Sequence, residues 1–238
     1  MMRSERKPAR GASRPDRMKR TPYVMPPAVA KHRGAIVDHM VNVCGLDRPT
    51  AEKSLPKKGI KLSSRRALTK PELEDWLKLA HKTKDPVTRR ALCLLPYSGL
   101  RATEVCMLHK AGIRVHPKGS ATILLAGKNG KVATVHIPKT GAAILQAAVK
   151  ASPDPTWVFF NGKGHITPTQ LRAACKAVSR KDKRFAHVTP HFLRHTFVTA
   201  QIGRCEDVRR VMEQARHNSL KTTISYAHPS VLASYSKR

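Results

Sequence analysis

Apolar residues recur at helical spacing along most of the chain. Thr69 followed by Glu72, with Pro71 between them, has the pattern of a capping box and predicts a helix that runs to about Lys82. The same 3.6-residue period predicts further helices at about 28–46, 86–97, 140–150, 193–200 and 208–215, and others that begin near 102 and 167. Most of the ordered chain is therefore expected to be helical.

The period changes to that of a β-strand in the middle of the chain. Ala121–Ala126 and Val132–Ile137 are apolar runs on either side of Gly127-Lys128-Asn129-Gly130-Lys131, which predicts a β-hairpin or small antiparallel sheet. A short strand is also predicted over Trp157–Phe160. Together these elements predict an α+β domain, mostly helical, with one small antiparallel β-sheet.

The first part of the chain has a different composition from the rest. Residues 1–22 are rich in Arg, Lys, Ser, Gly and Pro and cannot build a core, so they are expected to be a disordered tail that can also lie on phosphates as a basic arm. Residues 47–66 have the composition of a basic linker with at most a short helix. The expected division is a basic N-terminal arm and linker over 1–67, with a single helix, and a main domain over 68–238.

The net charge of the chain indicates the class of molecule that it binds. The 238 residues carry 46 Lys and Arg against 15 Asp and Glu, a formal net charge of +31, and a protein this basic is expected to bind nucleic acid. No run of apolar residues is long enough to span a membrane, and no secretory signal is evident. The five cysteines are scattered without a C-x-x-C pair, which excludes a zinc finger and favours reduced thiols in a cytoplasm.

Two segments carry candidate chemistry. In the segment 189–196, His191 and Arg194 lie three residues apart after Pro190, a spacing at which an imidazole and a guanidinium can hold one anion. The alternative is a half-exposed helix with incidental polar residues. In the segment 216–226, Tyr226 is predicted to face away from the apolar side of a short helix, and nearby cations would favour its phenolate.

These segments belong to a longer series of motifs. In order, the chain contains Ser98-Gly99-Leu100-Arg101-Ala102-Thr103-Glu104, Gly127-Lys128, His191-x-x-Arg194-His195, His217, and Tyr226 nine residues later. Across about 160 residues, the series resembles the Arg, Lys, His-x-x-Arg, His/Trp, Tyr series of the tyrosine recombinase (phage integrase) family. No single motif is specific, but the five together in this order are.

The resemblance implies a nucleophile and a clamp for a phosphate. Tyr226 would attack a DNA backbone phosphate to give a 3′-phosphotyrosine and a free 5′-hydroxyl. Arg101 and Arg194 would bind the non-bridging oxygens as negative charge develops.

The resemblance also assigns the proton transfers. Lys128 would protonate the departing 5′-oxygen, His191 would assist proton transfer at the tyrosine, and His217 would hydrogen-bond the scissile phosphate. Neither a metal nor another cofactor is required, because the side chains supply the positive charge.

The function expected on this basis is site-specific recombination or integration of double-stranded DNA by a phage or other mobile element. The protein would act as a homo-oligomer, a tetramer on DNA, in the cytoplasm at the nucleoid. Two alternatives stay open: a DNA-binding accessory protein with a degenerate recombinase domain, and a DNA-relaxing activity like that of type IB topoisomerases.

Several residue assignments also have alternatives. Lys131 could replace Lys128 as the acid, and Tyr235 could replace Tyr226, although it lacks a histidine at the right offset. His191 and His195, with His187 nearby, could also ligate a metal, but the first histidine lacks the following glutamate of a metalloprotease and no third ligand is evident.

Two features depart from the family's pattern. Ala215-Arg216 stands where Leu-Gly usually precedes the histidine, which leaves the local backbone in question. The segment before the expected catalytic domain is shorter than the usual core-binding domain, and the segment after Tyr226 is short as well.

Overall fold

The computed structural model describes residues 34, 36–38, 41–42, 47–54, 67–126, 132–204, 208–217, 222–223, 231 and 234–235. The predicted basic arm, the predicted hairpin turn with Lys128 and Lys131, and Tyr226 lie outside these residues. Of the helix predicted over 28–46, the described residues 34, 36–38 and 41–42 are helical. The boundary expected between residues 67 and 68 stays a prediction.

Helices account for most of the described residues, as the apolar spacing predicts. Their bounds are α1 Arg48–Ser54, α2 Lys70–His81, α3 Pro86–Ser98, α4 Ala102–Cys106, α5 Lys139–Ala151, α6 Pro168–Ser179, α7 Pro190–Gly203 and α8 Val208–Ala215. The predicted capping box is present at the start of α2, where the Thr69 main-chain N–H donates to the Glu72 carboxylate at 2.8 Å and the Thr69 hydroxyl accepts from the Glu72 N–H. No helix within these ranges is long and apolar enough to cross a membrane.

The small sheet has an edge strand that the sequence pattern does not reveal. Strands β1 Ile113–Val115, β2 Ala121–Ala126 and β3 Val132–Ile137 are antiparallel in the order β1-β2-β3, with Ile123 opposite Val135. The strand predicted over Trp157–Phe160 is wrong. Its two ends make only isolated bridges, Trp157 with His109 and Phe160 with His165, because the chain turns between them and pairs with two different segments.

Helix α3 lies at the centre of the domain and packs against α5, α6 and α7. Its second half is buried almost without interruption, from Ala91 to Pro96. Gly99 then ends the helix in a left-handed conformation with φ of 62°, and a Cβ at this position would collide with the Phe197 ring of α7. Only glycine permits both the positive φ and the close approach of α7, so this residue fixes the turn that leads into α4.

The last described residues fold back onto the beginning of the domain. Val231 and Tyr235 are buried with Ala67 and Ala200, and the Tyr235 hydroxyl donates to the Leu68 carbonyl at 3.0 Å. The segment after Tyr226 is therefore anchored to the same domain whose helices carry the other predicted site residues.

Candidate active site

The first predicted site residue, Arg101, lies in the turn between α3 and α4 and precedes the first residue of α4. Its side chain is 50% exposed, and its guanidinium donates to Glu104 at 2.9 Å. The same carboxylate accepts from the Arg101 main-chain N–H at 2.7 Å, so Glu104 fixes both the backbone and the side chain of Arg101. The guanidinium also donates to the Arg216 carbonyl at 3.4 Å.

The pair on α7 occupies two different environments. Thr189 caps the helix by accepting from the Phe192 N–H, and Pro190 follows in the first turn, as its position predicts. His191 is exposed at this end, whereas Arg194 is only 4% exposed. The alternative of a half-exposed helix is wrong, because other elements cover α7 on nearly every side.

The buried Arg194 guanidinium joins three segments of the chain. It donates to the Gly99 carbonyl at 2.6 Å and to the Ala215 carbonyl at the end of α8. A buried positive charge is costly unless it is hydrogen-bonded, and these two carbonyls accept hydrogen bonds from the guanidinium. Arg194 therefore serves the fold as well as any chemistry, since it holds together the turn before Arg101 and the turn before His217.

His217 follows α8, and Thr223 orients it. The imidazole Nδ1 lies 2.8 Å from the Thr223 hydroxyl, and the Thr223 side chain is fully buried. Arg216, between α8 and His217, has φ of 52°, the left-handed conformation that glycine adopts most easily. The unusual Arg216 thus keeps the backbone conformation that a glycine would have provided.

A cleft of about 630 Å³ lies between α4, α6 and α7. Arg101, His191 and Arg194 line one part of it, and Arg172 and Lys176, one turn apart on α6, line another. Both α6 side chains are exposed. Four of these five side chains are arginine or lysine, so the cleft is suited to receive an anion.

Burial, together with the charge of these cations, keeps the histidines neutral. Although His191 is exposed as a whole residue, partial desolvation and the charges of Arg194 and Arg101 lower its pKa below the usual 6.5. Burial, together with Arg194, Arg101, Arg216 and His191, lowers the pKa of His217 to about 4. At pH 7 both imidazoles can therefore accept a proton or a hydrogen bond.

Glu104 stays ionised within this cationic group. Burial alone would raise the pKa of the carboxyl, but the Arg101 N–H and the charges of Arg216 and Arg101 hold its pKa below the usual value. One carboxylate thus pairs with two guanidiniums, which leaves the site with a net positive charge.

The structure therefore brings together Arg101, His191, Arg194 and His217, four of the six residues predicted from the sequence. Lys128 and Tyr226 lie outside the described residues, and so does the alternative acid Lys131. In the sequence, Lys128 lies between the end of β2 and the start of β3, and Tyr226 lies between the described residues Thr223 and Val231. The roles of all six stay predictions.

Tyr235 is poorly suited to replace Tyr226 as the nucleophile. Its side chain is 5% exposed, its hydroxyl donates to the Leu68 carbonyl, and burial raises its pKa. A buried neutral phenol is neither accessible to DNA nor easily deprotonated. For the metal alternative, no three His, Cys, Asp or Glu side chains in the described ranges are grouped so that they could hold an ion.

Sequence reasoning missed two residues of this group. Glu104 stands three residues after Arg101, a spacing that predicts both a capping box and an ion pair, so a signal was available. Thr223 had no such signal, because its bond to His217 depends on how the chain turns after α8.

Comparison with known proteins identifies the family to which the chain is similar. The family model described as the phage integrase family matches residues 66–232. A tyrosine recombinase XerA of Pyrococcus horikoshii is 30% identical over 186 residues, which are 76% of this chain and 60% of that protein. A tyrosine recombinase of Thermosipho africanus is 29% identical over 161 residues, covering 68% of this chain and 56% of the relative.

Solved structures show the same fold. The XerH site-specific recombinase, in a pre-cleavage complex with its difH substrate, superposes with a TM-score of 0.59 at 26% identity, over 72% of this chain and 52% of that one. The XerA recombinase crystal structure gives a TM-score of 0.59 at 19% identity, over 86% and 79% of the two chains. The chain belongs to the phage integrase family, and it spans little more than half the length of the curated relatives described above.

Proposed function

We propose that this protein breaks and rejoins double-stranded DNA by transesterification, with Tyr226 as the nucleophile. The observation that carries the proposal is the convergence of four residues from three separate segments of the chain: Arg101, His191 and Arg194 line one cleft, and His217 lies close enough to all three to feel their charges. The His217–Thr223 hydrogen bond supports the proposal, because Thr223 stands three residues before Tyr226 in the sequence.

The reaction balances without metal or nucleotide. The Tyr226 oxygen forms a bond to phosphorus as the bond from phosphorus to the 5′-oxygen breaks, the phenol proton passes to neutral His191, and Lys128 gives a proton to the 5′-oxygen. Arg101 and Arg194 stabilise the charge on the non-bridging oxygens, and His217 donates a hydrogen bond there. The phosphotyrosine conserves the bond energy, so a 5′-hydroxyl from another strand can reverse the step.

DNA would approach through the basic cleft. Arg172 and Lys176 of α6 line the same cleft as Arg101, His191 and Arg194, and lie one helical turn from each other. Cationic side chains beside the reacting phosphate bind the neighbouring phosphates and hold the backbone in position without reading sequence. The overall charge of +31 supports the same partner.

The biological reaction proposed is site-specific recombination by a phage or another mobile element in a cytoplasm. Exchange between two duplexes requires four strand cleavages, so four copies of this chain would assemble on the DNA. Light scattering of the protein with and without a bound duplex tests this assembly, and a complex that stays monomeric on two joined sites would contradict it.

A library of nicked duplexes tests the chemistry and selects the recognition site in the same experiment. Each duplex carries a nick just downstream of a randomised segment, so that cleavage releases a short fragment and traps the covalent adduct. We expect adducts that survive denaturation, that enrich one sequence, and that disappear in Tyr226→Phe. Tyr235→Phe is the matched control, since it removes one phenol oxygen outside the cleft, and its adducts should persist.

The alternatives give different results in the same experiment. Specific DNA binding with no adduct at any protein concentration would indicate an accessory protein. Adducts without sequence enrichment, together with relaxation of a supercoiled plasmid, would indicate an activity like that of type IB topoisomerases. Either result would overturn the proposal of a site-specific recombinase.

A further inference from the structure

The turn between α8 and His217 contains Arg216 in a backbone conformation that is unfavourable for residues with a Cβ. Arg216 has φ of 52°, and among the described residues it is the only one other than glycine with a positive φ. A side chain with a Cβ raises the free energy of this conformation, whereas glycine does not. The arginine must therefore make interactions that compensate for the strain.

Two of those interactions lead to the segment that carries Arg101. The Arg216 guanidinium forms a salt bridge with Glu104 in which the two side chains are only 15% and 21% exposed. The Arg216 carbonyl accepts from the Arg101 guanidinium at 3.4 Å. A second nitrogen of the Arg216 side chain donates to the Gln214 carbonyl at 3.2 Å, which fixes the side chain along the end of α8.

The backbone of the same turn is closed by two main-chain bonds. The Arg216 N–H donates to the Glu213 carbonyl at 2.9 Å and the His217 N–H donates to the Met212 carbonyl at 3.0 Å. The position of His217 thus depends on a turn whose one long side chain is tied to Glu104. Glu104 is also the residue that holds the backbone and guanidinium of Arg101.

We propose that Arg216 is a positioning residue that joins the His217 turn to the Arg101 turn before DNA binds. The effect of Arg216 on catalysis rests on the function proposed above, whereas its effect on the two turns does not. Glu104 shared between Arg101 and Arg216 sets the relative position of two groups that must meet the same phosphate. A site assembled in advance does not have to order these groups during the reaction, which lowers the barrier to cleavage.

The test replaces Arg216 by asparagine. Asparagine tolerates a positive φ better than other residues that carry a Cβ, so Arg216→Asn removes the salt bridge without adding the backbone freedom of glycine. Amide hydrogen exchange of the free protein should become faster at residues 216 and 217 and stay unchanged in α7. Cleavage of a saturating nicked duplex should slow by about tenfold, which is about 1.4 kcal/mol of activation free energy.

Two further variants separate positioning from charge and from stability. Arg90→Gln removes one positive charge beside α5 and should match Arg216→Asn in DNA affinity but keep the wild-type cleavage rate. Arg216→Lys keeps a cation beside Glu104 and should recover part of the rate, which a general loss of stability would not allow.

Unchanged exchange at 216 and 217, wild-type cleavage by Arg216→Asn, or a lysine variant no faster than the asparagine variant would each overturn the positioning role. A selective loss of DNA affinity in Arg216→Asn would overturn it as well, because it would make Arg216 a DNA contact. If the wild-type protein forms no adduct, the proposed function fails, and the exchange measurement still decides whether Arg216 holds the two turns together.

Discussion

Arginine-to-lysine changes at the two predicted phosphate clamps should have different effects on stability. Arg194 is 4% exposed and donates to two main-chain carbonyls, at the end of α3 and at the end of α8. A hydrogen bond from a charged donor contributes about 1.5–3 kcal/mol, and a lysine ammonium at this position would keep at most one of the two. Arg194→Lys should therefore lower the free energy of unfolding by about 2 kcal/mol.

Arg101→Lys removes the same planar group from an exposed position. The Arg101 side chain is 50% exposed, and its pair with Glu104 lies at the surface. Exposed ion pairs contribute about 0–1 kcal/mol, so the free energy of unfolding should change little. Both variants should nevertheless cleave DNA roughly 100-fold more slowly, since an ammonium cannot replace a two-point contact to the phosphate in the transition state.

Thermal unfolding and single-turnover adduct formation measure the two effects separately. For a domain of this size, a loss of about 2 kcal/mol corresponds to a fall in Tm of about 4–8 °C, which is expected for Arg194→Lys alone. Arg90→Lys, on α3 beside α5, is the matched control and should resemble the wild type in both assays. Equal falls in Tm for Arg101→Lys and Arg194→Lys, or wild-type cleavage by either, would refute the reasoning.

Three further predictions concern Thr223, His217 and Lys176. Thr223→Val removes the 2.8 Å hydrogen bond to His217 and should slow single-turnover cleavage by about fivefold to tenfold. Thr223→Ser keeps the hydroxyl and should cleave at close to the wild-type rate. Equal rates in the two variants would contradict the role of the hydroxyl. Burial lowers the pKa of His217 to about 4 in the folded protein, so the unfolded chain binds the extra proton and the free energy of unfolding should fall as the pH decreases from about 6.5 to 4. A plot of Tm against pH should therefore be shallower for His217→Gln than for the wild type. An identical plot would contradict the burial of a neutral imidazole. Lys176→Gln should reduce the slope of log Kd against log salt concentration by about 0.9, as expected for one lost phosphate contact, and an unchanged slope would remove Lys176 from the DNA interface.

The fold was predictable wherever a local signal sufficed. The Thr69–Glu72 pair marks the beginning of α2, and the apolar runs 121–126 and 132–137 coincide with β2 and β3. Strand β1 was missed because three residues are too few to show a period, and its pairing with β2 is a tertiary contact. Trp157–Phe160 has the composition of a strand but turns between two partners.

The candidate site was predictable as a set of residues, and less so as a geometry. The order of motifs indicated Arg101, His191 and Arg194, which line one cleft, and His217, which lies close enough to feel their charges. Spacing along α7 could not show that Arg194 is buried, since that depends on which elements cover the helix. The shared use of Glu104 by two arginines also depends on tertiary contacts that no local pattern reveals.

The most direct test of the proposed chemistry is to locate the covalent bond between protein and DNA. Adducts from the nicked duplex would be digested with protease and nuclease, and the peptide that carries a nucleotide identified by mass spectrometry. We expect a 3′-phosphate linked to the Tyr226 oxygen and no other modified residue. A nucleotide on another side chain, or DNA held only by noncovalent contacts, would contradict the assignment of Tyr226 as the nucleophile.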